Sequence, residues 1–218
     1  MPHDPAPSLP PGHKALPRPN RRLRHVSAPA GIAVVVPIKS FASAKSRLAD
    51  ALSPAARQAL ARQCATTVLQ AAGALPVFVV CNDDSVATWA REHGVKVVQP
   101  AEPGLNAAAD CGRAAARDAG YGRVLVVHSD LPNANELTSL TEVPVDVVIV
   151  PDRHRDGTNV LLVPTAGAFT FCYGPGSSAA HQAQARSLGL RYEVVERPDL
   201  ALDLDTLDDL HVAGIPTN

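Results

Sequence analysis

The sequence predicts a single α/β domain built on a mostly parallel central sheet. Three observations predict it. Continuous apolar runs rich in β-branched residues, such as "GIAVVVPIK" and "VDVVIVPD", have the texture of strands buried on both faces. Between such runs lie segments with helical caps and helical periodicity. At 218 residues the chain can bury one ample core, and no internal repeat or second hydrophobic core divides it.

The elements follow in order. "GIAVVVPIK" opens as a strand at Gly31. "SPAARQALARQCATTVLQAAG" is a helix: Ser53 suits the N-cap, Pro54 the first helical position, and Gly73 the exit. Ala56, Leu60, Cys64 and Val68 recur every fourth residue and give that helix a buried face. "PVFVVCN" is a strand, "SVATWAREHG" a short helix leaving at Gly94, and "VKVVQ" a strand. "LNAAADCGRAAARDAG" is an Ala-rich helix, and "RVLVVHSDLP" a strand with a polar end. "ANELTSL" is a short helix and "VDVVIVPD" another strand. Then come a turn and strand in "DGTNVLLVP" and a glycine turn entering a helix in "YGPGSSAAHQAQARSLG". "RYEVVER" and "LALDLD" read as short strands, and "TLDDLHVAG" as a closing helix.

Composition narrows the function. Net charge is −1, so no global basic field points to nucleic acid. The first thirty residues hold Lys14, Arg18, Arg21, Arg22 and Arg24 against Asp4, a net +4, so the remainder carries −1 − 4 = −5. Rich in Pro and Arg and lacking an apolar h-region, residues 1–30 read as a disordered tail rather than a secretory signal, and residues 31–218 as the domain. No stretch is long and apolar enough to span a membrane. Cys64, Cys81, Cys111 and Cys172 form no CxxC pair, which disfavours zinc or redox chemistry and suits a reducing cytoplasm.

Ligands of open α/β sheets bind beyond the carboxyl ends of the strands, and four polar places stand there. After the first strand, "KSFASAKSRLAD" carries Lys39, Lys45 and Arg47, basic groups suited to a triphosphate. A solvated basic loop would look the same, and the GxxxxGK pattern of a P-loop is absent. Asp130 closes an apolar strand in "VLVVHSDLP", where a carboxylate can hold a hard cation or simply cap the next turn. Thr158 offers a hydroxyl beside Gly157, while Gly174, Gly176 and Ser177 form a turn at a helix N-terminus, able to cradle an anion or to be an ordinary cap. In that helix, His181 reads as a surface residue.

The fourth place is "LALDLDTLDDL". In a strand, Leu202 and Leu204 share one face, Asp203 and Asp205 the other. Two carboxylates a few ångströms apart repel by roughly 1–4 kcal/mol, so something must compensate. Capping of the last helix accounts for one acid, not both. With Asp130, the pair could meet around a divalent metal. Asp208 and Asp209 read as solvated helix charges.

Taken in order and spacing, "VVPIKSFASAKSRL", "GLNAAADCG", "HSDLP", "DGTN", "YGPGS" and "LDLDTLDDL" resemble the 2-phospho-L-lactate / phosphoenolpyruvate guanylyltransferase family of deazaflavin coenzyme F-420 biosynthesis, from about Ile32 to the C-terminus. The resemblance implies a Rossmann-like nucleotide-diphospho-sugar transferase (GT-A-like) fold. It implies joining of the guanylyl group of GTP to a phospho-acid with release of pyrophosphate. It implies that Asp130, Asp203 and Asp205 hold Mg²⁺, that Thr158, Gly174 and Ser177 hold the acceptor, that Lys39, Lys45 and Arg47 face the GTP phosphates, and that Asn106 contacts the nucleotide. Bacterial members of the family implicate phosphoenolpyruvate as acceptor, with 2-phospho-L-lactate and 3-phosphoglycerate as alternatives, and a downstream deazaflavin transferase as consumer of the product. Two stretches depart from the family pattern: His128–Ser129 stands where a small residue commonly precedes the Asp, and "RHRDGTN" is looser than the usual glycine-threonine run. Rival readings are a nucleotidyltransferase for another acceptor and a catalytically silent nucleotide-binding regulatory domain. The missing Gly-Gly loop argues against a molybdopterin acceptor, and the clustered carboxylates against silence.

Overall fold

A computed structural model describes Met1 and residues 31–216; the expected tail at 1–30 therefore lies almost wholly outside the described residues. Seven strands form one sheet: β1 (Ile32–Pro37), β2 (Val77–Val80), β3 (Lys96–Val98), β4 (Arg123–Val127), β5 (Val147–Pro151), β6 (Thr158–Pro164) and β7 (Tyr192–Val194). Their order is β3-β2-β1-β4-β6-β5-β7. Only β6 is reversed, pairing antiparallel with β4 and with β5, so the sheet is mostly parallel as expected.

Strand residues alternate between two cores, the consequence of period-two side chains on a sheet covered on both faces. Val34, Val36, Leu125 and Val127 face α1 (Pro54–Ala71) and α2 (Asp84–Glu92). Ala33, Val35, Val124 and Val126 face α3 (Leu105–Asp118) and α5 (Ser177–Ser187). The helix ends follow local chemistry. Ser53 accepts from the Ala56 amide at the head of α1, and Asp83 from Ser85 and Val86 at the head of α2. α3 lies so close to the sheet that a Cβ on Gly112 would sit 2.3 Å from Val35 Cγ1. The short helices are α4 (Thr138–Thr141), α6 (Pro198–Ala201) and α7 (Leu207–Val212). Among the described residues no helix is long and apolar enough to cross a membrane.

Three expectations are corrected. "LALDLD" is not a strand. Pro198 starts the single turn of α6, Leu202 leaves it in an extended conformation, and residues 202–205 join no strand, with one backbone bond from Leu204 N to Asp130 O (3.2 Å). The alternation survives: Leu202 and Leu204 are buried against Cys64 of α1, while Asp203 and Asp205 stay partly exposed. Asp209 is not solvated. It is 4% exposed and forms a capping box with Thr206 that closes the head of α7. Its carboxylate accepts from the Asp205 and Thr206 amides and from Arg153 Nε. Neither Asp203 nor Asp205 is therefore used as that cap. His181, expected at the surface, is fully buried.

Candidate functional site

A cleft of about 700 Å³ opens at the carboxyl ends of β1, β2 and β4. Lys39, Asp130, Asp203 and Asp205 line it. The loop after β1 is pinned at two points. Phe41 packs edge-on to Trp89, ring centroids 5.2 Å apart, and Leu48 packs on Leu210 of α7. Between these anchors Lys45 takes a left-handed conformation (φ 59°), uncommon for a residue with a side chain. That conformation heads the 3-10 turn Ser46–Leu48.

Lys45 supplies the compensation the clustered acids require. Its side chain is 4% exposed, and Nζ donates to Asp130 Oδ2 at 2.9 Å and lies 3.9 Å from Asp205 Oδ1. Arg47, well exposed, reaches Asp205 Oδ2 at 3.4 Å. Burial works against the charge of Asp130, but the Lys45 ammonium overrides it and holds the carboxyl below the usual carboxylate range. Asp203 has no such partner. Burial, then the neighbouring Asp130 and Asp205, push its carboxyl up, and its one side-chain hydrogen bond is a 3.5 Å contact from Asn159 Nδ2.

The three acids thus meet at one place, with an ammonium among them. Among the described residues no three His, Cys, Asp or Glu side chains stand already converged as a metal cage. A magnesium site needs only one or two carboxylates when substrate phosphates complete it. The residues fit that requirement: the donors are all oxygen, and Asp130 Oδ1 is buried without a hydrogen-bond partner.

The expected acceptor residues are also brought together, but behind the cleft rather than along its wall. Thr158 and Ser177 are each 1% exposed, their hydroxyl oxygens 3.3 Å apart, and Ser177 N donates to Gly174 O at 3.1 Å. Gly174 (φ 135°) and Gly176 (φ 71°) allow this turn, because side chains are strained at such angles. His181 Nδ1 lies 3.1 Å from Thr158 Oγ1, and Cys172 N donates to His181 Nε2 at 3.0 Å. Tyr173 joins the cluster to the cleft. Its ring lies 5.1 Å from that of His181 and 5.4 Å from that of His128, which does line the cleft. Burial drives the Tyr173 phenol far above its ordinary range, and neither its hydroxyl nor His128 Nε2 has a partner.

Asn106 is engaged elsewhere. Its amide oxygen accepts from Tyr173 N at 2.7 Å and its nitrogen donates to Tyr173 O at 3.4 Å, so it ties α3 to the 172–176 turn. Lys39 is exposed at the cleft mouth. Sequence reasoning missed Asn159, His181 and Tyr173. Asn159 had a signal, since it follows Thr158 in "DGTN". It is 2% exposed and also donates to the Leu200 and Ala201 carbonyls, which holds the acid segment against β6.

Comparison with known proteins gives this arrangement relatives. The family model described as "Guanylyl transferase CofC like" matches residues 32–214. The chain is 40% identical over 184 residues to the phosphoenolpyruvate guanylyltransferase of Rubrobacter xylanophilus, covering 81% of this chain and 90% of that one. It is 39% identical over 187 residues to the enzyme of the same name from Conexibacter woesei, covering 81% and 84%. A 3-phospho-D-glycerate guanylyltransferase of Phenylobacterium zucineum is 35% identical over 187 residues, covering 80% and 86%. Among solved structures, a nucleotidyl transferase from Methanothermobacter superposes with a TM-score of 0.58 at 17% identity, covering 84% of this chain and 95% of that one. At that identity the likeness speaks to the fold, which is that of nucleotidyltransferases.

Proposed function

The chain belongs to the CofC-like guanylyl transferase family, and from that premise we propose that it transfers the guanylyl group of GTP to the phosphate of phosphoenolpyruvate. The acceptor phosphate is already anionic near neutral pH, so no strong general base is required. Its oxygen forms a bond to the α-phosphorus of GTP in line, the bond to the β-phosphate oxygen breaks, and pyrophosphate leaves. The work left to the protein is positioning and charge neutralisation.

The observation that carries the reading is the meeting of Asp130, Asp203 and Asp205 along the cleft, with the buried Lys45 ammonium beneath Asp130 and Asp205. Asp130, Asp203 and Asp205 would hold Mg²⁺, with Asp130 Oδ1 and the poorly compensated Asp203 as its natural oxygens. When bound, the ion neutralises phosphate charge and polarises the α-phosphorus. Lys39, exposed at the cleft mouth, and Arg47, exposed beside Asp205, would meet the GTP phosphates. Lys45 offsets the charge of Asp130 and Asp205. By family resemblance Thr158, Gly174 and Ser177 take the acceptor, which must expose the buried Thr158 and Ser177 hydroxyls, and Asn106 serves by fixing the turn that leads through Gly174 to Ser177. The four cysteines are free, which suits work in a reducing cytoplasm. The product, a phosphoanhydride, is the kind of activated donor that a downstream deazaflavin transferase consumes.

The test is pyrophosphate release from GTP and Mg²⁺ with phosphoenolpyruvate, 2-phospho-L-lactate and 3-phosphoglycerate in parallel. The downstream transferase and its acceptor are present to draw the reaction forward. Release with phosphoenolpyruvate alone is expected. Release only with 3-phosphoglycerate keeps the mechanism and moves the acceptor to that of the Phenylobacterium relative. GTP retention with no release from any acid refutes the enzymatic reading.

A further inference from the structure

The buried cluster of Thr158, Ser177 and His181 contains more hydrogen than its own contacts consume. The Cys172 amide is an obligatory donor, so its 3.0 Å contact makes Nε2 of His181 an acceptor. A neutral imidazole carries one proton, which must then sit on Nδ1. From there it donates to Thr158 Oγ1 at 3.1 Å. Thr158 and Ser177 bring two hydroxyl protons and share one further contact at 3.3 Å. Three protons thus meet two contacts, and one hydroxyl proton is left over. In the other tautomer the count changes. Nε2–H would oppose the Cys172 amide, bare Nδ1 would take the Thr158 proton, Ser177 would donate to Thr158, and nothing would remain to offer.

We propose that His181 is a positioning residue that, by keeping its proton on Nδ1, turns the Thr158–Ser177 hydroxyl pair into a hydrogen-bond donor toward the anionic acceptor. The proposal rests on the reading that these two hydroxyls hold the acceptor. Its surroundings keep His181 neutral. Phe169 stacks on the ring at 5.9 Å and Tyr173 meets it edge-on at 5.1 Å. Burial lowers its pKa to about 4, with charge at nearby His128 acting in the same direction. His181 touches no substrate in this scheme. It decides which way the hydroxyls point.

Two substitutions separate this role from a merely structural one. The amide nitrogen of Asn overlays Nδ1, whereas the amide oxygen of Gln overlays Nε2. His181→Asn therefore keeps the donor to Thr158 and loses the acceptor for Cys172; His181→Gln does the reverse. With Thr158→Val as reference, steady-state kinetics should show KM for phosphoenolpyruvate raised about tenfold or more in His181→Gln and Thr158→Val, the loss of one hydrogen bond to a charged group. His181→Asn should restore it to within about threefold, and KM for GTP should stay level in all three. If Thr158→Val raises the acceptor KM but His181→Gln does not, the positioning role is refuted. If neither raises it, the acceptor reading itself has failed and takes the proposal with it. ¹⁵N spectra of ring-labelled wild-type protein test the tautomer with no variant at all: a proton on Nδ1 is expected for His181, and one on Nε2 overturns the proposal.

Discussion

Replacing Lys45 by Met removes the ammonium that neutralises Asp130 while keeping most of the volume of its stem. Lys45 is 4% exposed and lies 2.9 Å from Asp130, whose own side chain is 27% exposed. Stripping one partner from a fully buried ion pair costs about 3–5 kcal/mol, and the partial exposure of Asp130 places this case near the lower end, about 3 kcal/mol. For a domain of this size that is a drop in Tm of roughly 6–12 °C. The pH dependence carries the diagnosis. In the wild type, Asp130 titrates below its unfolded value because of Lys45, so the stability it contributes is present above an unfolded pKa of about 3.9 and is lost as pH falls through the folded value. In Lys45→Met, burial is opposed only by His128 and a backbone hydrogen bond, both weaker in effect than the Lys45 charge, and the carboxyl rises. The deficit is therefore largest near pH 7 and shrinks as the pH falls toward about 4, where the carboxyl takes up its proton. Urea denaturation of both proteins in EDTA at the two pH values reads this directly. Lys45→Met/Asp130→Asn should regain most of the loss at pH 7. An equal deficit at both pH values would show lost packing rather than lost charge, and would refute the reasoning.

Asp203→Asn and Asp205→Asn should each cut pyrophosphate release about a hundredfold or more at limiting Mg²⁺; an unchanged rate in either would remove the metal assignment. Because Asp203 is opposed by burial and by its acidic neighbours, Asp203→Asn should also be no less stable than wild type at pH 7, and a lower urea midpoint would contradict that account. Gly112→Ala drives a methyl to 2.3 Å from Val35 Cγ1 and 3.0 Å from Val80 Cγ2. The overpacking should cost about 1–3 kcal/mol, and an unchanged urea midpoint would mean that α3 is not seated as described. Asn106→Ala frees both backbone groups of Tyr173. Hydrogen exchange at the Tyr173 amide should accelerate, with the far side of α3 unaffected; unchanged protection there would dissolve the tie.

The fold was legible because its signals are local. β-branched runs named the strands, and Ser53 and Pro54 sit at a helix start for reasons visible within four residues. "LALDLD" misled because its alternation is that of a strand, while Pro198 just upstream turned the chain into α6. His181 misled for the opposite reason. Its helix, "SSAAHQAQARS", has too little apolar content to declare which face is buried, and its partners Thr158 and Cys172 lie 23 and 9 residues away. Asp209 looked like one more surface charge, because the Arg153 that meets it stands 56 residues earlier.

The acid pair shows where local reading ends. Period two placed Asp203 and Asp205 opposite their leucines, and that alternation holds without a strand. The force that holds it is apolar: Leu202 and Leu204 seat on Cys64, each fully buried leucine contributing about 1.5–3 kcal/mol. The countercharge comes from far along the chain, Lys45 reaching Asp130 over 85 residues and Arg47 reaching Asp205 over 158. No window of sequence contains both ends of either contact. The division has a physical sense. Leucines, the Leu204 amide and the Asn159 side chain fix where the carboxylates stand. Asp203 is consequently left without a cation and Asp130 Oδ1 without a donor. A site whose backbone is anchored by apolar packing can keep such uncompensated oxygens, because the segment that bears them does not depend on them to fold.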